Sequence, residues 1–341
     1  MATQNIARTL YITTNTGQTI AYRRLGPAHG IPLVMHIHYR ANMDFWDPLL
    51  IDTLAATRPL LLFDQPGVGH SRTHPLDPST DDEAIPLTFQ GWADNVLALV
   101  DALQLTKVDL FGFSMGGCAM QMAALTRPDV VRKLVLAGTG PSAPSPSLNE
   151  AGNEGRGIVW SRDIPPRHAI AALSAGDGTV SSEIEAGITT SFFPDTSVGR
   201  ATARAYFERI YSRSRDTISH SSDSEGGGDK EEGPIHTFLP PLPSARQRAA
   251  YADWSSPNPH NSFDRLGELS MPVLVLNGDD DLLIPTSRSW DLMVGIEDAH
   301  LIVYPRAGHG FLWQFARRVG EDVGRFLNGE VGEEDEERAR L

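Results

Sequence analysis

The 341 residues contain a single cysteine, Cys118. No disulfide can form within the chain, and a cysteine-rich zinc site is excluded. Positive charge is also scarce. Lys and Arg number 29 against 43 Asp and Glu, a formal net charge of −14. An acidic chain without a dominant basic block is a poor match for a phosphate backbone, so no nucleic-acid partner is expected. No apolar run approaches the ~18 residues of a membrane span. Residues 1–10 lack the apolar core of a secretory signal. The expectation is a cytoplasmic protein with a small-molecule partner and no membrane.

Most of the net negative charge sits in two places. Between Asp216 and Glu232 stand six acids and one base, and from Glu330 to Leu341 six acids and two arginines. Neither stretch has apolar periodicity. They read as a mobile segment, 216–233, and an acidic disordered tail, 330–341. At 40% hydrophobic residues, the remainder can bury a large core.

Along the chain, strand patterns alternate with helix patterns. Residues 8–14 and 19–24 read as a hairpin turning at Asn15-Thr16-Gly17. The apolar runs 32–37, 60–63, 108–113, 133–137, 272–276 and 301–304 read as buried strands. Residues 42–56, 88–103, 116–125, 286–295 and 312–327 carry helical spacing. This rhythm predicts an α/β fold with a mostly parallel sheet. It breaks at Gly138. From 140 to 263 the composition turns to Pro, Ser, Gly and Arg, with short helical patches at 167–173 and 200–211. A structureless loop of that length is uncommon in a compact domain. The segment reads as a cap inserted between core regions 1–139 and 264–329.

The sharpest chemical signal is Gly112-Phe113-Ser114-Met115-Gly116, a G-x-S-x-G placed between a strand and a helix. On such a sharp turn the serine is strained and exposed at the sheet edge. The residues two before and two after it must be small. Ser114 is the nucleophile candidate, and the N–H of Met115 can serve as an oxyanion donor. Cys118, one helical turn further, reads as a small buried residue.

With these residues the sequence resembles the α/β-hydrolase superfamily over about 8–136 and 271–327. The resemblance implies a triad in the chain order nucleophile, acid, histidine. The acid then lies in Gly278-Asp279-Asp280-Asp281-Leu282-Leu283-Ile284-Pro285, where the superfamily pattern G-x-x-D-x-x-x-P selects Asp281. Asp279 and Asp280 stay open as alternatives. The turn after 133–137, where some relatives keep the acid, has no carboxylate. The histidine is His309, between Gly308 and Gly310, 28 residues beyond Asp281.

The second oxyanion donor should come from His36-Ile37-His38-Tyr39-Arg40-Ala41-Asn42. This loop departs from the usual His-Gly and is similar to a His-Phe-Arg-Gly subgroup. Tyr39 is the implied backbone donor and substrate-binding residue, with Arg40 as the alternative. His38 would brace the loop. His36 and His38 lack a matching carboxylate cluster, so no metal is expected, and nothing implies a cofactor. Asp64-Gln65-Pro66-Gly67-Val68-Gly69-His70-Ser71 fits the superfamily's D-x-x-G-x-G-x-S turn and lacks the end of a phosphate loop. A serine at the elbow argues against epoxide opening and halide displacement, which use aspartate there.

The expected function is a serine hydrolase acting on a small ester, lactone or related carbonyl compound. A C–C bond hydrolase, a lyase or cyclase of small-molecule biosynthesis, and a slow-turnover ligand receptor are the alternatives.

Overall fold

The computed structural model describes residues 3–71, 83–145, 166–213 and 233–330. The acidic stretch 216–232 and the tail 331–341 lie outside the described residues.

Eight strands form one sheet in the order β1-β2-β4-β3-β5-β6-β7-β8. The hairpin β1 (Leu10–Thr13) and β2 (Thr19–Leu25) turns at Gly17, whose φ of 81° is left-handed. β2 runs antiparallel to β4 (Leu60–Phe63). From there the sheet is parallel through β3 (Leu33–His36), β5 (Val108–Phe113), β6 (Val131–Ala137), β7 (Val273–Gly278) and β8 (Ala299–Tyr304). Every residue of β3, β4, β5 and β7 is buried. That explains their mostly apolar sequences, since helices cover both faces; the polar exceptions His36, Asp109 and Asn277 are each hydrogen-bonded.

The strand order reverses at β3, which lies between β4 and β5. Loops leaving β3 and β5 therefore diverge from neighbouring carboxyl ends. A crevice at that switch point is where open α/β sheets bind ligands. The 36–42 loop and Ser114 sit on these two strand ends.

Helices α1 (Pro48–Ala55), α2 (Phe89–Ala102) and α3 (Met115–Thr126) fall within the first half of the fold. The helix predicted over 42–56 is broken. A 3-10 turn, Met43–Phe45, precedes α1, and Trp46 and Asp47 between them are extended. Pro48 is the physical reason: it favours a helix start and pushes the preceding residue out of the helical region. Asp47 then caps α1, accepting the N–H of Leu49 at 2.9 Å.

Between β6 and β7 the described residues add no strand. They build α4 (Arg167–Ser174), α5 (Ser181–Phe192), α6 (Ser197–Ile210) and α7 (Pro241–Trp254). The patches at 167–173 and 200–211 correspond to α4 and α6; α7, and α5 with Ile184, Ile188 and Phe192 at helical spacing, were not expected from the sequence. After β7 come α8 (Thr286–Gly295), the short α9 (Phe311–Gln314) and α10 (Ala316–Asn328). The last two replace the single helix predicted over 312–327.

The insertion is tied to the core by buried polar contacts. Arg209 of α6 forms a two-pronged pair with Asp47, at 2.8 and 2.6 Å. Tyr206 donates to the Phe45 carbonyl at 2.8 Å. Asn42 donates to the carbonyls of Ile235 (3.0 Å) and Thr237 (3.3 Å). Asp44 collects Arg23 at 2.6 Å, His70 at 2.7 Å and the N–H of Ile235 at 2.8 Å. Burial alone would raise the Asp44 carboxyl. These cations outweigh it and hold the group well below the ordinary carboxylate range.

Candidate active site

Ser114 stands where β5 turns into α3. Its φ of 57° places it in the left-handed region, which a residue with a side chain rarely adopts. The surroundings enforce the turn. A Cβ on Gly112 would meet the Gly117 Cα at 2.5 Å, and one on Gly116 would meet the His36 carbonyl oxygen at 2.3 Å. The G-x-S-x-G spacing is therefore a packing requirement between strand, helix and the neighbouring β3. The Ser114 N–H is fixed on the Ala137 carbonyl at 2.9 Å. Met115 opens α3, and N–H groups at a helix start have no intrahelical acceptor.

Of the three consecutive aspartates, Asp281 meets His309. Its Oδ2 lies 2.7 Å from His309 Nδ1, with both side chains fully buried. Its Oδ1 accepts the N–H groups of Leu283 at 2.8 Å and Ile284 at 2.9 Å. Asp279 braces the histidine loop instead, accepting the N–H of Ala307 at 3.0 Å. A carboxylate can only accept, so His309 Nδ1 carries the proton of this bond, and in the neutral ring Nε2 then offers its lone pair. Nε2 is buried and has no hydrogen-bond partner. The Ser114 hydroxyl is thus not bonded to it in this state. Ser114 and His309 nonetheless share one end of the sheet. The ring of Phe113 lies 5.0 Å from that of His309, and a Cβ on Gly138 would sit 3.3 Å from His309 Cε1.

The 36–42 loop holds its two histidines apart. His36 Nδ1 bonds the Ile37 carbonyl at 2.9 Å, and its ring stacks on Trp92. His38 Nδ1 bonds the Tyr39 carbonyl at 3.0 Å, and its ring lies among Phe113, Phe192 and Trp313. Burial lowers His36 to about 4 and His38 to about 3, so both are neutral near pH 7. Facing different neighbours, they do not form one ligand pair. Arg40 adopts φ 63°. Its N–H is already donated to Gln247 Oε1 at 2.9 Å, which leaves Tyr39 as the nearer oxyanion candidate on this loop. The Arg40 guanidinium turns into the insertion, donating to the Leu239 carbonyl at 2.8 Å and the Ala175 carbonyl at 3.2 Å. Cys118 is buried and its thiol is pushed up to about 12, which removes it as a nucleophile.

A family model described as alpha/beta hydrolase fold matches residues 28–166. The solved alpha/beta hydrolase fold protein from Chitinophaga pinensis superposes with a TM-score of 0.72 at 26% identity, covering 96% of this chain and 99% of that one. The chain has the α/β-hydrolase fold. Among its relatives is the 2-hydroxymuconate semialdehyde hydrolase of a Pseudomonas species, 25% identical over 302 residues, 87% of each chain. Another is the 2-hydroxy-6-oxononadienedioate/2-hydroxy-6-oxononatrienedioate hydrolase of Paraburkholderia xenovorans, 25% identical over 238 residues, 69% of this chain and 67% of that protein. These are enzymes, and so is this α/β-hydrolase.

Its site contains residues that the sequence did not single out. Phe192, at the end of α5, lies 4.8 Å from the His309 ring and stacks on Trp313 at 4.9 Å. The Phe192 carbonyl accepts the N–H of Gly310 at 2.7 Å, so the insertion also sets the histidine loop. A Cβ on Gly308 would meet that carbonyl oxygen at 2.6 Å, which explains the glycine before His309. The aromatic Phe192 and Phe193, closing an otherwise polar segment, were the available signal. Among the described residues no helix is long and apolar enough to cross a membrane.

Proposed function

We propose that this α/β-hydrolase is a serine hydrolase of small carbonyl compounds, with Ser114 as nucleophile, His309 as base and Asp281 as the acid that orients it. The observation that carries the reading is the 2.7 Å bond from His309 Nδ1 to Asp281, opposite an unpartnered buried Nε2. Rotation of the Ser114 hydroxyl toward Nε2 prepares the attack; catalytic hydrogen bonds often tighten only in the substrate complex. His309 takes the Ser114 proton as Oγ adds to the carbonyl carbon. The N–H groups of Met115 and Tyr39 receive the oxyanion. The leaving group departs with the proton from His309. Water, deprotonated by His309, then releases the acid from the acyl-enzyme. Residues 140–263 act as the cap over this site.

Ester and lactone cleavage is the first reading. C–C bond hydrolysis is the second, favoured by the names of the two relatives and by the aromatic shell of Phe113, Phe192 and Trp313 around His309. There the leaving carbanion, rather than an alkoxide, takes the proton. The test is a panel of p-nitrophenyl esters beside a 2-hydroxy-6-oxo-dienoate, run in ¹⁸O-water. Ser114→Ala should lower kcat by at least ~10⁴-fold on the accepted substrate. Equal turnover by wild type and variant would overturn the mechanism. A product without ¹⁸O would point to a lyase or cyclase. No turnover and no fluorophosphonate labelling would point to a receptor.

A further inference from the structure

We infer that Gln247, on α7 of the insertion, is a positioning residue for the oxyanion loop, so that the donor geometry at Tyr39 depends on the docked insertion. The inference rests on the serine-hydrolase reading and extends it to what assembles the hole.

The peptide joining Tyr39 to Arg40 is held at both ends. Its carbonyl accepts from His38 Nδ1 at 3.0 Å, and its N–H donates to Gln247 Oε1 at 2.9 Å. One grip comes from the core and the other from the insertion. Turning this plane turns the adjoining peptide, which carries the Tyr39 N–H. Arg40 sits at φ 63°, a conformation that persists only when its surroundings enforce it. Those surroundings belong to the insertion. The Arg40 carbonyl accepts from the Leu239 N–H at 2.8 Å, and its guanidinium donates to Leu239, Leu173, Ala175 and Gly176 carbonyls. The residue after Gln247, Arg248, holds the Tyr39 hydroxyl at 2.9 Å. Gln247 and Arg40 are each 1% exposed, so no water substitutes for the lost acceptor without rearrangement. With this contact broken, Arg40 relaxes toward negative φ and the Tyr39 N–H leaves the line it needs.

The test compares Gln247→Met, which removes the acceptor at similar volume, with Gln247→Glu, which keeps a carbonyl oxygen in either protonation state. Gln247→Asn serves where the Met variant does not fold, because it keeps an amide but withdraws it by one methylene. Three readouts are taken: hydrogen–deuterium exchange of peptides covering 36–42, kcat and KM on an ester, and affinity for an alkyl boronic acid that forms a tetrahedral serine adduct. In the Met or Asn variant the loop should exchange faster. Its kcat should fall by about 10–100-fold, as for a misplaced catalytic group, with KM changed by less than about threefold. Boronate affinity should fall by the same factor as kcat, and Gln247→Glu should restore all three. Unchanged exchange in 36–42, a loss carried by KM alone, or a Glu variant as impaired as Met would each overturn the assignment. If the wild type binds no boronate and cleaves no ester, the serine-hydrolase reading has failed. The exchange comparison still decides whether Gln247 positions the loop.

Discussion

Replacing Asp281 by Asn should disable the site while leaving the fold intact. Oδ1 of Asp281 accepts two backbone N–H groups, at 2.8 and 2.9 Å, while Oδ2 faces His309 Nδ1 at 2.7 Å. An Asn side chain has one acceptor oxygen and one donor NH2. Two N–H groups already point at the Oδ1 position, so the amide oxygen must stay there. The NH2 then faces Nδ1, which must accept, and the imidazole proton moves to Nε2. That tautomer cannot take the Ser114 proton. The same tautomer error in enzymes with a Ser-His-Asp triad lowers kcat by ~10⁴, or about 5.4 kcal/mol of barrier. Both backbone bonds survive, so the melting temperature should fall by only about 1–2 °C, as expected for a ~1 kcal/mol change in a chain of this size. The assay is single-turnover hydrolysis of an activated ester with fluorophosphonate labelling in parallel, and Asp279→Asn as a control that keeps its acceptor for Ala307. A folded Asp281→Asn enzyme within tenfold of wild type would refute the reasoning.

Three further outcomes follow from the geometry. Gly116→Ala puts a Cβ 2.3 Å from the backbone oxygen of His36, which has no flexible end to move; unfolding should show a loss of about 3 kcal/mol or more. His70 is pulled upward from its ordinary value: its bond and charge attraction to Asp44 outweigh the burial that opposes them. Its stabilising share is then full below about 6.5, the unfolded value, and is lost as pH rises through the higher folded value. The destabilisation caused by His70→Gln should therefore be about 1.5–3 kcal/mol near pH 6 and shrink toward pH 9, as measured by denaturant melts. Cys118, with its thiol pushed up to about 12 by burial, should resist thiol reagents at pH 8 until the protein is unfolded.

What the sequence determined by itself is local. Runs such as 60–63 and 108–113 match their strands residue for residue, because a strand buried on both faces is mostly apolar; the one charge in them, Asp109, is paired with Arg132. The elbow was legible because its glycines answer a short-range steric demand. Chain order, read through the family resemblance, narrowed the candidate acid to three aspartates and pointed to His309 as the candidate base. What only the tertiary structure decided depends on distant partners. Which of three aspartates meets a ring 28 residues on is set by how two strand ends approach, not by spacing along the chain. Helix α7 was hidden because its sequence carries little apolar periodicity of its own; α5, with Ile184, Ile188 and Phe192 at helical spacing, packs mainly on α4, also within the insertion. Arg40 read as a candidate for substrate; the fold spends its N–H and guanidinium on the insertion. Most of the net negative charge falls in 216–232 and 331–341, outside the described residues. Around Ser114 and His309 the insertion closes with aromatic rings and backbone hydrogen bonds, short-range contacts that no count of residues along the chain contains.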